Sequence, residues 1–99
     1  LFPFGVYNDG MRFSWDETKA RKNLKKHGVS FDEASTVFFD SFAITIPDPD
    51  HSVNEYRLLT IGRSLSGKLL VVAHTEDDDL IRIISAREAT RRERKDYES

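Results

Sequence analysis

The chain predicts one small α+β domain, an antiparallel sheet packed against helices in the order strand, helix, helix, four strands, helix. Two helix-start signatures, Ser30 with Glu33 and Ser85 with Glu88, bracket the middle of the chain. Between them, Phe42 to Ile84 reads as alternating or apolar runs cut by proline, glycine and acidic clusters, the pattern of strands joined by short turns. The 99 residues, 38% of them hydrophobic, suffice for one modest core and for function at a surface rather than in a deep cavity.

Phe13 to Trp15 alternates as a short first strand, and Asp16 stands where a helix N-cap belongs. The first helix is expected over Glu17 to His27, stopped by Gly28, which tolerates the left-handed conformation that ends helices. The Ser30–Glu33 capping box opens a second helix with Phe31, Ala34, Val37 and Phe38 on one side. Strands follow at Phe42 to Ile46, ended by Pro47, at Tyr56 to Arg63, and at Lys68 to Thr75, the last two joined by Ser64-Leu65-Ser66-Gly67. A tight acidic turn over Glu76 to Asp79 leads to a strand from Leu80 to Ile84, completing an antiparallel meander. Ser85 and Glu88 then predict a last helix reaching Tyr97, with Ala86, Ala89, Glu93 and Tyr97 on its packing side.

Composition excludes several classes. Without cysteine there is no disulfide, thiol nucleophile or iron–sulfur cluster, and a reducing cytoplasm is the natural compartment. No apolar run approaches bilayer length, so no membrane partner is expected. Residues 1–10, LFPFGVYNDG, lack a basic leader and a cleavage site; they read as a cloning remnant or an upstream extension before a domain spanning residues 11–99. The net charge of −2 hides a segregation, with six basic residues from Arg12 to Lys26 and six more from Arg82 to Lys95. The acids concentrate between them, in Pro47-Asp48-Pro49-Asp50 and Glu76 to Asp79, so a basic face for a polyanion is compatible with an acidic total. Such acidic turns usually stay wet rather than hold a cation, and no cysteine–histidine pattern is present, so neither a metal nor another cofactor is expected.

Some residues stand out chemically. Lys19, Lys22 and Lys26 recur at helical spacing, and their mutual repulsion favours a nearby anion, although a solvated helix face explains them equally well. His27 ends the helix, as a proton or hydrogen-bond donor to phosphate or merely as a partner of the last carbonyls. Glu55 and Arg57 are two apart at a strand start and point to one side. Arg82 interrupts the apolar run Leu80 to Ile84, and an arginine there must be paired or line a site. An ion pair of Glu55 with Arg57 or Arg82 is the plain alternative and is compatible with a site. Thr75 ends a strand with its hydroxyl available to phosphate, and Arg87, near the expected start of the last helix, points back toward Arg82. His74 is expected as a satisfied histidine on a sheet face, and His51 is chemically attractive without firm placement.

The ordered motif F-x-W-D-x-x-K-x-x-x-N-x-x-K-H-G-V-S-F from Phe13 to Phe31, with R-I-I-S-A-R from Arg82 to Arg87, resembles the BrnT family of small bacterial toxins. The likeness runs from Met11 to about Tyr97. It implies a RelE-like fold, a ribonuclease that inhibits translation and growth, and a BrnA-like antitoxin partner through which alone the complex would bind operator DNA. Cleaving RNA without a metal needs a base, an acid and cations around the phosphate. On that chemistry Glu55 is the candidate base, His27 or Lys26 the acid, and Arg57 and Arg82 the charge stabilisers, with Lys19, Lys22, Thr75 and Arg87 contacting RNA. The alternative is a non-catalytic RNA-binding or antitoxin-binding module on the same fold.

Overall fold

The computed structural model describes residues 10–48, 50 and 55–99; residues 1–9 and His51 lie outside it. Asp16 caps the first helix by accepting from the amides of Thr18 and Lys19 at 2.8 and 3.2 Å. The chain therefore turns straight from β1 (Arg12–Ser14) into α1 (Glu17–His27), and Gly28 ends α1 at φ 72°, its amide bonded to the Leu24 carbonyl. Ser30 caps α2 (Phe31–Ser35) through the Glu33 amide. The Glu33 carboxylate does not return to the cap as a full capping box would. It instead accepts from the hydroxyls of Ser64 (2.8 Å) and Ser66, pinning α2 to a distant hairpin turn.

A 3-10 turn, Thr36–Phe39, leads on to β2 (Ile44–Pro47), β3 (Leu58–Arg63), β4 (Leu69–Asp77), β5 (Leu80–Glu88) and α3 (Arg91–Glu98). The sheet order is β1-β5-β4-β3-β2, with the expected antiparallel meander from β2 to β5 and β1 added parallel to β5 at one edge. The expected element order holds, but boundaries move: the second helix ends at Ser35, leaving Val37 and Phe38 on the 3-10 turn, the acidic turn shrinks because Glu76 and Asp77 belong to β4, and β5 runs past Ile84. Residues 85–88 are not helical: they extend β5 by pairing with Leu70 to Ala73. β4 is buried from Leu69 to His74 and needs ladder partners on both sides, which outweighs the local Ser85–Glu88 signal. The last helix starts later, on a capping box of Thr90 and Glu93.

Side chains alternate between two faces. One face, under α1 and α2, holds the core of Phe13, Val29, Phe31, Ala34, Val37, Leu70, Val72, Ile81, Ile83 and Ala86. Burying each of the larger ones stabilises the fold by about 1.5–3 kcal/mol before entropy is counted. The 3-10 turn lies so close over β3 that a Cβ on Gly62 would meet the Val37 carbonyl at 3.2 Å. His74 is fully buried here. Its Nε2 bonds the Thr60 hydroxyl at 2.7 Å, Thr60 bonds Thr45 at 2.7 Å, and the Phe38 ring meets it edge-on. The sheet-face placement holds, but satisfaction is only half achieved. Nδ1 has no well-formed hydrogen bond, although it faces the Thr75 backbone and the Glu76 carboxylate at 3.8 Å. Burial pushes its pKa down to about 4, weakly opposed by the Thr75 backbone.

On the other face α3 covers one end, where Ala89 and Tyr97 pack on Ile61, Leu69 and Val71. Asp40 ties it down by accepting from the Tyr97 hydroxyl at 2.5 Å and from the Arg63 amide at 2.8 Å. The remainder of this face is open. Among the described residues no helix is long and apolar enough to cross a membrane.

Candidate active site

What places functional groups on the open face is an irregularity in β5. The register steps from His74↔Ile83 to Ala73↔Ser85, so Ile84 is an extra, unpaired residue, a β-bulge. In regular alternation Arg82 would share its side with Ile84 and Ala86. The bulge instead puts Arg82, Ser85 and Arg87 on the open face, opposite Thr75, Ala73 and Val71, and returns Ala86 to the core.

The structure brings Glu55, Arg57 and Arg82 together. Glu55 accepts from Arg82 at 2.7 Å through one oxygen and from Arg57 Nε at 3.2 Å through the other. Desolvation works against ionisation of Glu55, but the two guanidiniums outweigh it and hold the carboxyl below its ordinary range. The ion pair expected from the sequence is therefore present. All three side chains keep between 29% and 38% of their surface exposed, so the cluster is reachable by a ligand. Thr75 sits directly opposite Arg82 on β4.

Arg87 lies on β5 and not on the last helix. Its guanidinium grips Glu93 of α3 with two bonds of 2.8 and 2.9 Å. That fork, and after it the Thr90 amide, hold the Glu93 carboxyl down at about 2. Glu93 on the packing side of α3 thus has an arginine as its partner, while Tyr97 goes to Asp40. Arg57 and Arg87 line a cavity of ≈ 300 Å³ together with Asp48, Asp50, Leu59, Ala73 and Ser85.

Lys19, Lys22, Lys26 and His27 are not in this cluster. They line a shallower depression of ≈ 220 Å³ with Asn23, Ile84 and Ser85, and Ser85 is shared by the two hollows. Among the described residues these three lysines make no ion pair and the His27 side chain no hydrogen bond. A third hollow, ≈ 290 Å³, lies on the opposite flank of α1 between Trp15 and Asp32 and holds none of the residues singled out for chemistry. No group of three His, Asp or Glu side chains is arranged to hold a metal among the described residues.

Sequence reasoning missed two residues that assemble the site. β1 pairs with β5 only as far as Arg82, leaving the β5 edge open beyond it. There Asn23 substitutes for a strand: its amide donates to the Ala86 carbonyl at 2.8 Å and its oxygen accepts from the Ala86 amide at 3.1 Å. A third bond, to the Val29 carbonyl at 3.0 Å, fixes the turn after α1. A buried asparagine in the middle of a helix, where its propensity is poor, was the available signal. Ser85 was the other, hidden by its mistaken role as a helix cap.

The family model for the ribonuclease toxin BrnT of type II toxin–antitoxin systems matches residues 15–93. The chain belongs to the BrnT family. Its structure is similar to the 1.1 Å crystal structure of the Brucella abortus ribonuclease toxin BrnT, with a TM-score of 0.60 and 25% sequence identity, covering 78% of this chain and 94% of that one. No curated protein sequence matches significantly. As a BrnT-family protein it is a ribonuclease toxin of a type II toxin–antitoxin system, and the family description implies an antitoxin partner and an RNA target.

Proposed function

We propose that this BrnT-family chain is a metal-independent endoribonuclease that acts in the cytoplasm by in-line attack of the RNA 2′-hydroxyl, inhibiting translation and growth. A BrnA-like antitoxin silences it by covering the open face, and operator DNA is read only by that complex. The observation that carries the reading is Glu55 held between two arginines on an accessible sheet face.

In the free protein Glu55 is a weak base, because both guanidiniums stabilise its anion. A scissile phosphate entering the cluster competes for Arg57 and Arg82, and each bond it takes from them returns basicity to Glu55. Binding thus prepares the base at the moment it is needed. Glu55 takes the 2′-hydroxyl proton, and the 2′-oxygen forms its bond to phosphorus as the bond to the 5′-oxygen breaks. Lys26 or His27 returns a proton to that leaving oxygen, and a 2′,3′-cyclic phosphate remains. Arg57 and Arg82 neutralise the pentavalent phosphate, while Thr75 and Arg87 hold its neighbours and Lys19 and Lys22 the flanking chain.

The test is antitoxin-free protein with labelled RNA in EDTA, beside Arg82→Ala, with the fragment ends resolved. Native protein should give cyclic-phosphate ends, and Arg82→Ala should be slower by about 10²–10³-fold. Fragments that form only with added divalent metal would remove the metal-free mechanism. Salt-sensitive binding without cleavage would instead favour the non-catalytic module.

A further inference from the structure

Ser85 belongs to both basic hollows, and nothing in the chemistry above uses it. We infer that its hydroxyl holds a phosphate where single-stranded RNA turns from the lysine flank of α1, around the edge of β5, onto the open face. This rests on the ribonuclease reading and names the path and class of its substrate.

The bulge at Ile84 sets Arg82, Ser85 and Arg87 in one row on the open face, opposite Thr75, Ala73 and Val71. At about 3.3 Å per strand residue, Ser85 lies about 7 Å from Arg87, a stride comparable with that between successive phosphates of an extended strand. Ser85 is exposed, and among the described residues its hydroxyl has no hydrogen-bond partner. The backbone beside it is fixed, because the Ala86 amide and carbonyl are held by Asn23 at 3.1 and 2.8 Å. Asn23 sits on α1, the helix that carries Lys19, Lys22 and Lys26, so the same bonds fix the hydroxyl relative to the lysines.

The lysine hollow lies along α1, which packs on the covered face, whereas the arginine hollow lies on the open face. Among the described residues Ser85 is the one lining residue they share. β1 stops pairing with β5 at Arg82, so beyond it no strand walls one hollow off from the other. A row of phosphates filling both must therefore pass over Ser85, where a hydroxyl can donate to a phosphate oxygen. The acidic residues of the arginine hollow, Asp48 and Asp50, follow β2 on its far side, so a polyanion is least opposed along the β5 side. The same path brings one RNA strand to both proposed proton carriers, since Glu55 belongs to the arginine cluster and Lys26 and His27 to the lysine hollow. Rounding a sheet edge needs a backbone that bends within a few nucleotides. A single strand does this, whereas a stiff duplex would rest on one hollow only.

The chain has no cysteine, so Ser85→Cys supplies a unique thiol. Its alkylation is timed with and without a saturating single-stranded RNA whose 2′-hydroxyls are methylated against cleavage, and with a duplex of the same sequence. Arg91→Cys, at an exposed position of α3, is the control. The single strand should slow alkylation at position 85 and the duplex should not, while the control reacts alike throughout. In parallel, Ser85→Ala should weaken single-strand binding about tenfold, the loss of one hydrogen bond to a charged group, and Ser85→Thr should recover most of that loss. Lys22→Ala and Arg57→Ala should each weaken binding of the same strand. If Ser85→Cys does not melt like the native chain, the alanine and threonine affinities decide. Alkylation indifferent to the strand, equal protection by the duplex, native affinity in Ser85→Ala, or no recovery in Ser85→Thr overturns the path, as does a strand insensitive to Lys22→Ala or to Arg57→Ala. The expected pattern without cleavage of an unmethylated strand would sink the ribonuclease reading and leave the path standing. Cleavage by Ser85→Ala at native rate and affinity would do the reverse.

Discussion

The two faces of the sheet use polar groups in opposite ways. Under α1 and α2 the polar side chains are few, buried and engaged locally: Asn23 with Ala86, and His74 with Thr60 and Thr45. On the open face they are arginines and carboxylates in partly exposed pairs, Glu55 with Arg82 and Arg57, and Glu93 with Arg87. A buried polar group is expensive to leave unpaired, so substitutions on the covered face register mainly as stability. An exposed pair is worth little to folding, so the open face can surrender its pairs to a ligand at small cost. The covered face holds position; the open one holds charge in reserve.

The sharpest way to break that contrast is pH, because His74 is the covered face's titratable member. Its folded pKa of about 4 lies below the ordinary 6.5, so between those values the unfolded chain binds a proton that the folded one does not. Stability therefore rises with pH across this window and is lost as pH falls from about 6.5 toward 4, by on the order of 2–3 kcal/mol. The groups facing the ring are Thr60 from β3, Phe38 from the 3-10 turn, and the Thr75 backbone and Glu76 from β4. Glu33, Asp40 and Glu93, whose folded pKa values are lowered, add stability that is lost only further down, as pH falls below the ordinary carboxylate range and through their folded values. Urea midpoints of native protein and His74→Gln at pH 7 and 5 separate the two: the variant should lose most of the slope above pH 5. Equal slopes would mean that His74 is not protected from protons and that the covered face is looser than its packing implies.

Asn23 sharpens the contrast from the boundary, since it joins the covered helix to the strand that carries Arg82, Ser85 and Arg87. Asn23→Ala leaves the Ala86 amide and carbonyl without their partner and should cost about 2 kcal/mol, with faster hydrogen exchange at the Ala86 amide. It should also loosen the lysine-bearing helix from Ser85, so RNA binding should weaken at pH and salt where the variant is still folded. A variant destabilised as expected but binding RNA normally would assign Asn23 to folding alone.

How much of this was legible follows from how local each signal is. Asp16, Gly28, Ser30 and the Ser64 to Gly67 turn act on residues a few places away, and the sequence shows them directly. Arg82 was legible as a charge interrupting an apolar run that must be paired or line a site, and Glu55 as its possible ion-pair partner. The helix start at Ser85 failed because two capping signatures stand five residues apart and tertiary pairing with β4 chooses the second. The bulge left a faint trace in the core spacing Ile81, Ile83, Ala86, two residues and then three, which breaks strand alternation. The parallel pairing of β1 with β5 and the bond of Asn23 to Ala86 join residues more than sixty apart, and nothing in either local sequence names the other.

The smallest effect expected lies on α1, and it tests the contrast from a third position, charges that are neither buried nor paired. Lys19, Lys22 and Lys26 sit at helical spacing and repel one another, so removing one should leave stability unchanged or raise it by about 0.2–0.5 kcal/mol. If they track RNA phosphate, each removal also lessens the counterions released on binding. The slope of log affinity against log salt should then fall by about 0.7 per lysine for a single strand. Arg91→Ala, at an exposed position of α3, should leave the slope where it was. Lys22→Ala and Lys26→Ala measured across a salt series decide between a phosphate track and a merely solvated helix. A slope unmoved by either would restrict RNA to the arginine face, and the proton for the leaving oxygen would then have to come from somewhere other than Lys26 or His27.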